Sequence, residues 1–351
     1  MITAAMIMVS ERTEAVTRLR RNVLTDAASL EKFCRGVNGL KRDFSAGVTT
    51  NALGLTGMDL PVSAYDQFVI WHYVAMNILT PPPPAPNPNA RNAAHRGSVF
   101  LPWHRFMLLL FEQHLQRVLE DDTFGLPYWD WAADGDHQPV GEQPSLALWK
   151  ATAIGGAGAP VEDGPFRFDP ESPESGFRVF FFEDPISGVL SVPLGPRGLV
   201  RRLQRPTSTF GLPTSQQVTA VIASQTEYDI ATWDAASRRG IRNLLEGWIP
   251  FSPDRRPELH NRVHVWIGGD MDPGTSPNDP VFYLNHCNVD RIWEAWMVEN
   301  GRNYAPDDSS DNPVGHRLND QIISLVARLT TTPNEMLDVT DIYTYDELPS
   351  A

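Results

Sequence analysis

The chemistry in this chain concentrates in its histidines. His260 and His264 stand four apart in P-E-L-H-N-R-V-H-V-W-I-G-G, and His286 follows in S-P-N-D-P-V-F-Y-L-N-H-C-N-V-D-R-I-W. Residues four apart on a helix project from successive turns of one face, so His260 and His264 point the same way. Upstream, His95 and His104 bracket H-R-G-S-V-F-L-P-W-H-R, and His72 lies in an apolar segment of helical spacing. The chain has nine histidines, and these six fall at or near helix faces that read as buried. The remaining three, His114, His137 and His316, fall off the ligand face or in loops and are expected to be structural or solvated.

A set of imidazole nitrogens without thiolate or carboxylate partners suits copper. A carboxylate-bridged di-iron bundle requires Glu-x-x-His motifs, and none accompanies these histidines. A catalytic zinc site uses three protein ligands, which leaves half the set idle, and H-E-x-x-H is absent. Two coppers held by three histidines each use the whole set. A three-histidine zinc hydrolase is the alternative that residue types leave open.

Placing such a set requires helices. Tyr65, Phe68, Val69, His72, Tyr73 and Met76 form one stripe of a helix predicted over about 61–79, which Pro81 to Pro84 stop. Over 95–120, Pro102 suits a first helical turn, His104 points inward, and Leu108, Phe111, Leu115 and Val118 continue its face. L-P-Y-W-D-W, residues 126–131, reads as an aromatic knot beneath the helices. Pro257 and Gly268-Gly269 bound the helix of His260 and His264; Asp279-Pro280 and Asn300-Gly301 bound that of His286. Residues 11–45, with Arg18, Arg20 and Arg21, read as a surface helix. Residues 132–235 read as loops, with a short strand over 177–183 and a helix over 212–224. The expectation is a mainly α fold and one domain over 1–351. A four-helix bundle houses a dinuclear copper centre, with long surrounding loops and minor β structure.

Composition narrows the partners. The 351 residues are 42% hydrophobic with ten tryptophans, enough for a sizeable core, and the formal charge of −14 disfavours nucleic acid or an anionic membrane surface. Two cysteines, Cys34 and Cys287, provide no disulfide framework. No segment approaches the ~18–20 apolar residues that span a bilayer. The apolar run Met1–Val9 has no basic leader or small-residue cleavage site. A cytoplasmic location is expected, with secretion alongside a partner protein as the alternative.

H-R-G-S-V-F-L-P-W-H-R resembles the copper-A signature of the tyrosinase family, and L-H-N-R-V-H-V-W-I-G-G with S-P-N-D-P-V-F-Y-L-N-H-C-N-V-D-R-I-W resembles its copper-B signature. The similarity extends to Y-W-D-W, L-E-G-W and Y-T-Y-D, covers nearly the whole chain, and is strongest to the bacterial, Streptomyces-like branch. It implies copper A on His72, His95 and His104, copper B on His260, His264 and His286, and oxidation of phenols, o-diphenols or o-aminophenols by dioxygen, with a copper-delivery chaperone as a possible partner. An oxygen carrier of the haemocyanin kind shares the centre and is the second alternative. The resemblance further implies that Asn261 and Glu246 hold a water that accepts the phenol proton. Phe282 and Asp290, four before and four after His286, are expected to pack on its ring and to orient a ligand imidazole or pair with Arg291. Asn285 stands where many relatives have a second histidine lining the substrate cavity. An insertion, roughly Ile249 to Arg256, separates L-E-G-W from L-H-N. With the absent export signal, these departures point to a specialised substrate such as an o-aminophenol.

Overall fold

The computed structural model describes residues 17–55, 57, 59–80, 90–137, 147–204, 211–237, 239–248 and 259–350. Among them the fold is mainly α, as expected, with three two-stranded pairings as its only sheets. Pro257 and the insertion of 249–256 lie outside the described residues.

The described residues open with strand β1 (Arg18–Arg20) and helix α1 (Ala27–Arg42), so of the surface helix expected over 11–45, residues 27–42 are helical and 17–26 are not. Asp26 stops it from starting earlier: its carboxylate accepts from the Ser29 N–H at 2.9 Å as an N-cap. Arg20 is not a surface residue. It is fully buried and donates to Glu112 at 3.0 Å and to Asp290 at 3.3 Å, a pairing that periodicity cannot reveal. Helix α2 (Asp66–Asn77) begins five residues after the expected Pro61, where Ser63 Oγ accepts from the Asp66 N–H at 3.0 Å. Its residues Asp66 to His72 are all buried, the mark of a helix enclosed on every side.

Helix α3 (Phe100–Leu119) carries Pro102 in its first turn and packs on α1, where Gly36 and Gly39 allow close approach. A Cβ at either glycine would lie 2.7 Å from Leu115 or Val118 respectively. The aromatic knot leads into α4 (Trp131–His137), and Trp129 N donates to Leu284 O at 3.2 Å. The strand expected over 177–183 is reduced to β2 (Phe182–Glu183), which pairs antiparallel with β3 (Leu190–Ser191). Helix α5 (Ser215–Ser224) opens on a capping box of Thr214 and Gln217.

Three further helices complete the frame: α6 (Ile241–Glu246), α7 (Leu259–Ile267) and α8 (Val281–Asn300). Gly268, at φ +63°, ends α7 in a conformation that favours glycine. Asp279 starts α8 by accepting from the Val281 N–H at 3.1 Å, and its two oxygens are clamped by Arg201 at 2.7 Å each. Seven of the ten tryptophans are among the largest fully buried side chains, so the bundle has an aromatic core. After α8 come β4 (Ile322–Ile323), β5 (Thr330–Thr331) and β6 (Tyr343–Tyr345). Strand β6 pairs parallel with β1, with Arg20 opposite Tyr345. No described helix is long and apolar enough to cross a membrane.

Asp290 departs from both expectations for it. It contacts no ligand imidazole and does not pair with Arg291, which reaches Asp130 at 3.1 Å instead. Its Oδ1 accepts from Arg105 Nε at 2.6 Å, and its Oδ2 accepts from the hydroxyls of Tyr343 and Tyr345 at 2.5 Å and from Arg20. Burial alone would raise the Asp290 pKa, but Arg105 and Arg20, with the two tyrosine hydroxyls, hold it below the usual carboxylate value. A depressed carboxylate pKa gives stability that is present above the ordinary Asp value and lost as pH falls through the folded one. Asp290→Asn would leave two buried guanidiniums without this counter-charge. We expect a loss of about 3–5 kcal/mol, read by urea unfolding at neutral pH; a loss under about 1 kcal/mol would show that the network does not hold the bundle.

Candidate metal centre

The six histidines converge as two facing triads. Helix α2 supplies His72 and α3 supplies His104; α7 supplies His260 and His264, and α8 supplies His286. His95 comes from the turn before α3, where Asn92 Oδ1 accepts from the N–H groups of Ala94 at 3.0 Å and of His95 at 2.7 Å. Within each triad, one ligand atom per residue lies within 4.8 Å of the other two. His104 and His286 stack across the two triads, ring centroids 4.2 Å apart and 14° from parallel.

Four of the rings are aimed by backbone carbonyls. Nδ1 of His72 lies 2.6 Å from Gly274 O, that of His104 2.8 Å from Phe100 O, that of His264 2.7 Å from Met271 O, and that of His260 3.1 Å from Glu246 O. A carbonyl only accepts, so Nδ1 must carry the proton and Nε2 must present a lone pair. The Nε2 atoms of His72, His104 and His264 are buried and have no protein partner. Those of His260 and His286 face each other at 3.0 Å. Metal–nitrogen bonds of about 2.0 Å put neighbouring ligand nitrogens on the order of 3 Å apart, so this spacing fits two ligands of one ion. Carbonyl anchoring of the second ring nitrogen is the usual arrangement around a metal.

Electrostatics agree with that reading. Burial, helped in most cases by neighbouring imidazoles, lowers all six pKa values. His72 falls to about 3 and His264 to about 4. The rings are therefore neutral at pH 7, as ligation demands. Phe282 packs against both triads: its ring is 4.1 Å from His286 and 5.1 Å from His72, centroid to centroid.

A cavity of about 410 Å³ opens on the triads, lined by His72, His95, His260 and His264 together with Met76, Trp248, Asn261, Val265 and Asp272. Family-model matching assigns residues 62–299 to the common central domain of tyrosinase. The tyrosinase of Streptomyces glaucescens is 38% identical over 72% of this chain and 80% of its own length. The chain belongs to the tyrosinase family. Grixazone synthase of Streptomyces griseus is 35% identical over 73% of the chain and 83% of that protein. Among solved structures, a polyphenol oxidase variant from Thermothelomyces thermophila shares the fold, with a TM-score of 0.64 at 21% identity, covering 94% of this chain and 89% of that one.

The other residues expected at the site fall in different places. Asn261 lines the cavity beside His260. Glu246 lies behind it, fully buried: Oε1 accepts from the Arg96 N–H at 2.7 Å and Oε2 from Arg242 at 3.0 Å, with Trp248 as a further donor. Burial raises its pKa, though Arg242 opposes the shift. Asn285 is outside the cavity lining; on α8 it is rotated about 100° from His286 and is fully buried, with neither amide atom partnered. Both cysteines are free and buried. His114 packs edge-on against Phe68, away from the triads, and His137 is exposed. His316 is fully buried, donating to or accepting from Thr80 Oγ1 at 2.8 Å, and its ring would lie 2.5 Å from a Cβ at Gly97. It thereby supports the His95 turn, a role its loop position does not signal. The carbonyl partners of the imidazoles left no trace in the sequence either, because any residue can supply a carbonyl.

Histidine pKa values depressed by folding make stability present above the unfolded value of about 6.5 and lost as pH falls toward the folded values. The copper-free protein should unfold at progressively lower temperature between about pH 7 and pH 5. Calorimetry across that window checks this, and a constant unfolding temperature would contradict neutral, buried rings.

Proposed function

We propose that the protein is a type-3 dicopper oxidase that uses dioxygen to oxidise phenols, o-diphenols or o-aminophenols to o-quinones or quinone imines. The observation that carries this is the pair of facing histidine triads, with the buried Nε2 atoms of His72, His104 and His264 left without a protein partner, in a chain of the tyrosinase family. His72, His95 and His104 would hold copper A; His260, His264 and His286 would hold copper B. When bound, the two ions supply the electrons for dioxygen reduction and recover them from the phenolic substrate.

The protein's own contribution is placement. The carbonyls of Gly274, Phe100, Met271 and Glu246 fix the ring orientations in advance, so little reorganisation accompanies the reaction. Phe282 keeps water out from between the triads. The cavity, bordered by Met76, Val265 and Trp248, has room for a substituted aromatic ring. A water held between the Asn261 amide and the Glu246 carboxylate would take the phenol proton. Burial raises the proton affinity of that carboxylate, which suits a general base. A relative named for synthesis of one product, grixazone synthase, supports keeping a specialised substrate in view alongside monophenols.

Metal analysis should return two coppers per chain; a single zinc would overturn the assignment. Oxygen uptake measured on tyrosine, a catechol and an o-aminophenol then separates the subtypes. Comparable rates on all three would sink the specialised reading, and reversible oxygenation without turnover would indicate a carrier. Asn261→Ala should lower monophenol turnover by about 10²-fold or more while leaving the copper content at two; an unchanged monophenol rate would remove Asn261 from the proton step.

A further inference from the structure

We propose that Glu183 is a positioning residue for His72. The inference rests on the dicopper reading only for what His72 holds; the contacts themselves belong to the polypeptide.

Three of the four carbonyls that aim imidazoles are set by helical structure. Phe100 O belongs to the first turn of α3, Glu246 O to the end of α6, and Met271 O to a 3₁₀ turn just after α7. Gly274 O, the partner of His72, lies outside every helix and 3₁₀ turn. Something else must hold it, and the β2–β3 hairpin does. Glu183 Oε2 accepts from the Gly274 N–H at 2.7 Å, and the Glu183 N–H donates to Thr275 Oγ1 at 3.2 Å. One residue thus grips the chain on both sides of the carbonyl that accepts from His72 Nδ1 at 2.6 Å. The carboxylate makes the first of these bonds charge-assisted, about twice as strong as a neutral one.

The same hairpin is fastened to the helix that carries His72. Tyr73 OH donates to Gly188 O at 2.9 Å and accepts from the Leu190 N–H at 3.0 Å. Imidazole, turn, carboxylate, hairpin and the neighbouring Tyr73 therefore form a closed circuit. Glycine at 274 is part of the device. A Cβ there would lie 2.7 Å from Glu183 Oε2, with Met76 Sδ and the Tyr73 ring at 3.5 Å. The unsubstituted backbone lets the carboxylate reach the N–H without displacement. Glu183 does not line the cavity, so its effect falls on the ligand and not on the substrate.

Three variants test this. Glu183→Ala removes the acceptor, Glu183→Gln keeps a carbonyl oxygen in its place, and Gly274→Ala pushes the carboxylate away while leaving it in the chain. In the copper-free protein, ¹⁵N imidazole spectra should show His72 with its proton on Nδ1 in the wild type and in Glu183→Gln. A mixture of tautomers is expected in Glu183→Ala and Gly274→Ala. On copper titration, one of the two sites should weaken by about 10–100-fold in those two variants, the other should hold, and Glu183→Gln should stay closer to wild type. Unchanged His72 tautomer and unchanged affinity for both coppers in Glu183→Ala would overturn the proposal, as would equal weakening of both sites. Should Glu183→Ala fail to fold, Gly274→Ala carries the same comparison with the hairpin sequence intact. A wild-type protein that binds no copper pair would overturn the dicopper reading instead, while the tautomer spectra would still decide the role of Glu183.

Discussion

Keeping six closely grouped imidazoles neutral, with ligand nitrogens facing the centre of each triad, is the requirement on which the rest of the structure depends. A ring left to itself populates two tautomers and can also flip its orientation. Here main-chain carbonyls remove that freedom at His72, His104, His260 and His264. Some of these carbonyls also need partners for their own sake. Glu246 O closes a six-residue helix, where terminal carbonyls have no intrahelical donor, and His260 supplies one. A single bond thus satisfies a helix end and orients a ligand.

Beneath the triads lies a layer of buried charge. Adjacent residues on a helix diverge by about 100°, so His104 turns toward the other histidines while Arg105 turns into the network of Asp290 and Glu294. On α8, Asp290 lies one turn beyond His286 and joins the same network. Two helices that must keep their imidazoles in register are pinned by ion pairs one residue along from one ligand and one turn along from the other. Such pairs gain little net stability over apolar packing; their geometric definition is what a ligand set can use.

The sequence made a good deal of this legible. The spacing of His260 and His264, Pro102 in the first turn of α3, and the Gly268 stop of α7 each express a local rule, and the structure follows them. What stayed hidden depends on contacts between distant residues. Arg20 looked like a surface charge because its partners Glu112 and Asp290 lie 92 and 270 positions away. The placement of Asp290 near His286 suggested a ligand partner; its side chain instead meets Arg105, 185 residues earlier. Asn285, expected to line the cavity, is sealed in the core, and the partners that hold Glu246 in place, Arg242 and the Arg96 amide, leave no mark in its motif. Glu183 carried no motif at all.

The parallel pairing of β1 with β6 joins residues 325 positions apart, Arg20 to Tyr345. Bringing such remote segments together carries a loop-closure cost in entropy that local helices do not face, and contacts of long sequence separation form slowly. The helices that present the histidines can assemble before this clasp closes, but Asp290 then lacks Arg20 and both tyrosine hydroxyls. The rigidity of the helices that present the histidines therefore draws on a contact between the two ends of the described chain, as well as on the helices themselves.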